Sequence, residues 1–254
     1  MSIKRIKTSL FMILRMLFRR RVVILLLVIM PLVFLSVVEL TASLKHIFFR
    51  LASLDEKVFI EESQKQISLI FFSVTSTGFL VSFLALNLIQ INSDANRRLV
   101  ICGYHPLELL IANLLCLLLI ILFIAIYIGL LINVFFSVKH LIMYIFGLSL
   151  IGFVYGCYGL AIGSLLKGKL EGVFLIVLLA NIDSGWLQNP MYYADAQNNI
   201  IIRYLPAYFP SQSVIISAFT DYSAINAMFY SILYGSFFLI LSLLIFYNKM
   251  HIKK

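Results

Sequence analysis

Residues 92–108 read N-S-D-A-N-R-R-L-V-I-C-G-Y-H-P-L-E, from Asn92 to Glu108, a polar island between two of the longest apolar runs in the chain. Ser93 or Asp94 is placed to cap a short helix, because a side-chain oxygen satisfies backbone N–H groups that have no partner at a helix start. Gly103 can end that helix in the left-handed conformation that a residue with a Cβ resists. Pro106 suits the first position of a following helix, where no N–H is needed, and Glu108 then lies near the positive end of its dipole. The expected pattern is a membrane helix, a cytosolic helix lying across, and a second membrane helix. A loop of this kind can receive force from a soluble partner.

Composition extends that reading to the whole chain. Of 254 residues, 62% are hydrophobic and 12% charged, and the mean hydropathy is +1.04. A soluble domain is about half apolar and about a quarter charged. Apolar runs long enough to cross roughly 30 Å of hydrocarbon recur, each needing about 20 residues. Backbone groups in lipid must pair within their own segment, and these runs are too long for barrel strands, so they are helices. The expected fold class is all-α and polytopic, a single transmembrane domain over 1–254. Its spans fall near 22–43, 67–91, 107–136, 141–166, 172–187 and 224–247.

Six spans return both termini to one side. That side holds fourteen of the 20 Lys and Arg, seven of them before Val22, and the other side holds six. Positive residues favour the cytosolic face, so both termini are expected in the cytosol. The net charge of +9 is thus a topology signal. A nucleic-acid binder needs a basic face in a soluble domain, and no such domain is expected.

Within residues 3–20, Ile3, Ile6, Leu10, Ile13, Leu14 and Leu17 repeat at intervals of three and four. With Lys4, Arg5, Thr8, Ser9, Arg15 and Arg19 opposite, this reads as an interfacial amphipathic helix, its apolar face at the acyl boundary. The first span carries Pro31, which deletes a backbone bond, and Glu39, an acid close enough to the aqueous boundary to snorkel. The outer loop 44–66 reads as solvated and near neutral. Its Glu61–Glu62 pair lacks the following Arg and the later His residues of glutamate-dependent intramembrane proteases.

In the second span Ser73, Thr75, Ser76, Thr77 and Gly78 make a hydroxyl-rich turn. Such groups either bond their own helix carbonyls or line a transport path, and both readings stand at this point. In the fourth span Ser149, Gly152, Gly156, Gly159 and Gly163 step by three and four, a stripe that admits a neighbouring helix to backbone contact. The segment Gly163-Ser-Leu-Leu-Lys-Gly168-Lys169 mimics a phosphate-binding loop, but Leu170 stands where Ser or Thr must reach Mg²⁺ and a membrane helix precedes it. Asn181 and Asp183 interrupt the fifth span, and an aromatic-rich, Pro-broken stretch follows, with Trp186, Tyr192, Tyr193, Tyr204 and Tyr208. Residues 183–210 read as a partly re-entrant outer hairpin capping the bundle. Cys102, Cys116 and Cys157 show no paired spacing. His46, His105, His140 and His251 are scattered at loops, so neither a metal set nor a nucleophile with its base can be assembled. No catalytic or metal site and no bound cofactor is expected on this chain.

The order of parts resembles the ABC-2 type permeases, the membrane subunits of ABC exporters. The segments that carry the likeness are Asn96–Leu110, Phe146–Leu165 with its glycines, and Tyr204-Leu-Pro-Ala-Tyr-Phe-Pro-Ser-Gln212. Asn92-Ser-Asp-Ala-Asn96 departs from the Glu-rich start usual in that family's cytosolic loop. The resemblance implies a permease paired with a second copy or a related chain, driven by a separate nucleotide-binding subunit that holds the ATP and Mg²⁺. It further implies ATPase coupling through Asp94, Arg97, Arg98, Tyr104, His105 and Glu108 in and beside the 92–106 loop. The cargo path would be lined by the first, second and fifth spans, with Ser73, Thr75, Ser76, Thr77, Asn181 and Asp183 as candidates. A drug, peptide or lipid is the implied cargo and the bacterial plasma membrane the implied location. The alternatives are a secondary transporter, which usually carries charged mid-membrane relays and repeated halves, and a non-transport assembly or sensor protein.

Overall fold

The computed structural model describes residues 3–51, 58–91, 93–166, 168–193 and 199–251. Helix α1 (Ile3–Arg19) turns at Arg20 into α2 (Arg21–Thr41), and a β-hairpin of β1 (His46–Arg50) and β2 (Phe59–Ser63) leads to α3 (Gln64–Ile91). There follow α4 (Ser93–Ile101), α5 (Pro106–Phe135), α6 (Leu141–Leu165) and α7 (Lys169–Ile182), which widens into a π-helical turn at Asp183–Leu187. Short helices α8 (Pro190–Tyr193) and α9 (Asn199–Arg203) precede α10 (Tyr208–Phe219) and the terminal α11 (Ile225–His251). Six helices, α2, α3, α5, α6, α7 with its π turn, and α11, are long and apolar enough to cross a membrane. The protein is a multi-pass helical membrane protein.

Helix α6 is the axis of the bundle, with α3, α5, α10 and α11 packed on it. Its glycine stripe explains why. A Cβ on Gly152 would come within 2.8 Å of Ile121 in α5, and one on Gly156 within 3.0 Å of Leu117 and 3.1 Å of Val81. Gly159 lies directly against the Ser82 carbonyl of α3, and Gly163 against the backbone of Leu86. The stripe therefore sits in the cleft between α3 and α5, where backbone-to-backbone approach maximises dispersion contact. Ser149 heads the stripe half-buried, its hydroxyl donating to the Ile145 carbonyl at 2.9 Å.

Three segments differ from expectation. The described parts of 44–66 are not plain loop: β1 and β2 pair antiparallel, His46 opposite Ser63 and Arg50 opposite Phe59. Alternation holds them, Phe49 being 2% exposed and its neighbour Phe48 68%. Just below, Glu39 does not snorkel alone but pairs with Lys65.

Secondly, the segment after 183 does not end its packing at 210. Every residue of α10 but Phe209 is buried. At 12 residues α10 reaches roughly 18 Å, short of the roughly 30 Å a span must cross. Ser213 and Ser217 donate to the Pro210 and Ser213 carbonyls, both at 2.7 Å, which spares α10 two unsatisfied hydroxyls. Its last carbonyls accept from the α5–α6 turn, Lys139 N–H to Ala218 at 3.2 Å and His140 N–H to Ser217 at 3.1 Å.

Thirdly, most of the apolar stripe of α1 packs on the protein itself. Ile13 is buried, and Ile6, Leu10, Leu14 and Leu17 pack against the core of the bundle. Ser9, which periodicity put on the polar side, is 3% exposed. Ile3 at the start of the stripe stays exposed, as do Phe11 and Phe18, a separate pair seven residues apart.

Candidate functional site

The junction of α1, α4 and α5 is built by local rules. At the end of α4 the Gly103 N–H donates to the Val100 carbonyl and the Tyr104 N–H to the Leu99 carbonyl, each at 3.0 Å. This closure needs a left-handed residue, and Gly103 has φ 88°. Helix α5 starts two residues later. His105 caps it, Nδ1 accepting from the Leu107 N–H at 3.3 Å, while the Glu108 carboxylate accepts from the His105 N–H at 3.3 Å. Pro106 opens the helix and Glu108 sits in its first turn, 2% exposed, where the helix dipole favours a negative charge. Each side of the turn from Gly103 to Glu108 is thus closed by its own bonds, the α4 end through Gly103 and Tyr104 and the α5 start through His105 and Glu108.

Arg5 of α1 locks onto that turn. Its Nη1 donates to the Gly103 carbonyl at 2.7 Å. Its guanidinium carbon lies 5.2 Å from the centre of the Tyr104 ring, and Nη1 is 4.0 Å from the Glu108 carboxylate. Periodicity grouped Arg5 with the charges opposite the stripe; half-exposed, it turns onto the Gly103–Glu108 turn, where a planar cation meets a ring, a carbonyl and a carboxylate together. Of the six residues implied in coupling, the structure brings Tyr104, His105 and Glu108 together. Arg98 lies exposed on α4, with Ile101 one turn on at 84% exposure. Helix α4 includes Asp94 and Arg97, whose side chains lie outside the described residues.

A second site is a groove of about 340 Å³ between α2, α3 and α7. Met30, Pro31, Phe34 and Phe79 make it apolar, and Thr75, Ser76 and Asn181 give it polar points. The Thr75 hydroxyl donates to the Phe71 carbonyl at 3.1 Å and the Ser184 carbonyl at 3.0 Å, and Asn181 Nδ2 to the Val177 carbonyl at 2.8 Å. Ser73 and Thr77 do not line this groove. They are fully buried on another face of α3, Ser73 bonded to the Tyr144 hydroxyl at 2.6 Å and Thr77 donating to the Ser73 carbonyl at 2.8 Å. The helical period sets Thr75 well away from 73 and 77, while Ser76, three residues from Ser73, falls between the two faces.

Asp183 is off the groove as well. It is 5% exposed and accepts from the Tyr155 hydroxyl at 2.6 Å, the Ala207 N–H at 3.0 Å and Gln188 Nε2 at 3.1 Å. Those bonds pin the π turn to the chain entering α10. Its role is to hold irregular backbone in place, which a π turn at this depth requires. Among the described residues no three of His, Cys, Asp and Glu are grouped to hold a metal ion. No protein-family model and no curated protein matches the chain.

Proposed function

We propose that this chain is the membrane subunit of an exporter of the ABC-2 type, moved by a separate ATP-hydrolysing subunit that grips α4. The observation that carries the reading is the Arg5 clamp, which ties α1, the end of α4 and the start of α5 into one block. A push on the exposed Arg98–Ile101 face then reaches two long levers at once. One is α5, which spans the bundle; the other is α1, which leads into α2. Shear of packed helices is a recognised way to convert such a push into opening and closing.

In this reading α1 lies at the membrane surface, with Phe11 and Phe18 toward lipid and its stripe against the bundle. The termini are cytosolic, the membrane is the plasma membrane, and the aromatic segment with α10 is the outer, partly re-entrant cap. A second copy or a related permease covers the exposed faces of α2 and α7, and ATP with Mg²⁺ belongs to the nucleotide-binding partner. The α2–α3–α7 groove, apolar with a few hydroxyl and amide groups, suits an amphipathic or hydrophobic cargo. A charged proton relay of the kind a secondary transporter uses is not supported by Asp183, which is buried and accepts from three fixed donors.

The test is co-purification. The tagged full chain, extracted in mild detergent, is expected to bring down an ATPase whose activity it stimulates, and Arg98→Glu with Ile101→Asp is expected to abolish stimulation while leaving the chain folded. Full stimulation by that double variant would remove α4 as the contact.

A further inference from the structure

A second cavity, of about 220 Å³, opens at the elbow where α1 becomes α2. Ile13, Leu17, Val23 and Leu84 line its apolar wall, and Arg20 and Asn87 are its polar groups. Arg20 is the residue at the break itself, between the end of α1 and the start of α2, with exposed Arg19 and Arg21 adjoining it in sequence. Among the described residues no acidic side chain forms an ion pair with any of these arginines. An apolar slot with a cation at its mouth, in a membrane protein, suits a molecule with an anionic head and a hydrocarbon tail. Basic pockets between membrane helices bind phosphate-bearing lipid headgroups in this way.

The geometry also gives the tail a course. The cavity is bounded by Val23 and Leu26 of α2 and by Phe83, Leu84 and Leu88 of α3. One turn further along the same two helices come Met30 and Pro31 of α2 and Leu80 and Phe79 of α3, the wall of the α2–α3–α7 groove. From Leu88 to Phe72 the seam runs roughly 24 Å along α3, longer than the roughly 15 Å of one hydrocarbon leaflet. We infer that the elbow is a binding site for an anionic phospholipid, its phosphate held by Arg20 and one acyl chain laid in the α2–α3 seam. This follows from the membrane character of the chain and does not depend on the exporter reading.

Native mass spectrometry of the delipidated full chain tests it, with dioleoylphosphatidylglycerol and dioleoylphosphatidylcholine titrated separately. One phosphatidylglycerol is expected to bind in clear preference to phosphatidylcholine. Arg20→Gln is expected to weaken that lipid about fivefold, the effect of one basic residue at a charged headgroup. Leu26→Trp, which adds bulk from an exposed position into the slot, is expected to weaken it while keeping every charge. Lys139→Gln at the other end of the bundle is the control and is expected to change nothing. Equal binding of the two lipids, an Arg20→Gln variant that binds like the parent, or an equal loss in Lys139→Gln would overturn the site. So would displacement of the lipid by millimolar inorganic phosphate, since the tail would then add nothing. Because Arg20 is exposed, its variant reads binding even if Leu26→Trp fails to fold.

Discussion

Replacing Arg5 by Ala removes three contacts at once, and their sizes can be set out in turn. The bond to the Gly103 carbonyl is short at 2.7 Å and charge-assisted, so it contributes about 1.5–3 kcal/mol, at the low end because the Arg5 side chain is 48% exposed. The ring contact with Tyr104 adds about 0.5–1 kcal/mol at an exposed site. The pair with Glu108, at 4.0 Å, adds at most about 1 kcal/mol. These terms share one side chain and do not simply add, so about 2 kcal/mol is the expected loss of α1 docking. That shifts the ratio of docked to released α1 by roughly thirtyfold. Arg5→Lys keeps the charge but not the planar fork, and should lie between the two.

Hydrogen exchange on the full chain in lipid nanodiscs reads this directly. The amides of α1 and of Gly103–Tyr104 are expected to lose protection together in Arg5→Ala, while those of α6 keep theirs. Unchanged exchange in α1 would refute the clamp, and loss across α6 as well would show general unfolding instead of undocking.

Further tests address packing, the cap and the hairpin. Gly159→Ala puts a Cβ into the Ser82 carbonyl of α3 and is expected to destabilise the bundle by about 1–3 kcal/mol; Gly78→Ala, whose Cβ would meet Tyr155 at 3.4 Å and Ile151 at 3.6 Å, is expected to be close to neutral, both read by thermal unfolding in detergent. Asp183→Asn turns an acceptor of Tyr155, Ala207 and Gln188 into a group that must present an NH₂ to at least one donor, with an expected cost of about 1–3 kcal/mol; exchange at 203–210 should rise first, and an unaltered profile would dismiss the pinning role. Glu62 in β2 has its carboxyl pushed up by burial, against the pull of Lys139 and His46. The folded state therefore binds that proton more tightly than the unfolded chain, so the contribution is present at low pH and is lost as pH rises through the raised value. Glu62→Gln is expected to flatten this part of the stability–pH curve, and an unchanged slope would assign it to another group.

The parts that were legible from residue order are those governed by local chemistry. Gly103 and Pro106 mark the α4–α5 turn because only certain residues tolerate a left-handed end or a missing N–H, and both stand where the structure uses them. The glycine stripe of α6 was readable for the same reason, since small residues at helical spacing leave a groove whatever fills it.

What escaped notice depends on distance or on dilution. Arg5 meets Gly103 across 98 positions, and nothing in an amphipathic N-terminal segment separates a clamp from a basic flank. In α10, Ser211, Gln212, Ser213 and Ser217 lower the apolar character of a helix that is nonetheless buried, because Ser213 and Ser217 satisfy their hydroxyls on their own backbone. The hairpin strands are five residues each, too short for their alternation to stand out. The separation of Thr75 from Ser73 and Thr77 could have been read from helical period, and the grouping of all four as one path did not use it.

The most direct measurement places the purified chain alone in sealed lipid vesicles, without nucleotide or any companion, and follows release of entrapped amphipathic solutes. The account predicts no directed transport there, and transport restored when the co-purifying ATPase and ATP are added. Full-rate transport by the chain alone would contradict it, because nothing would then be pushing on α4.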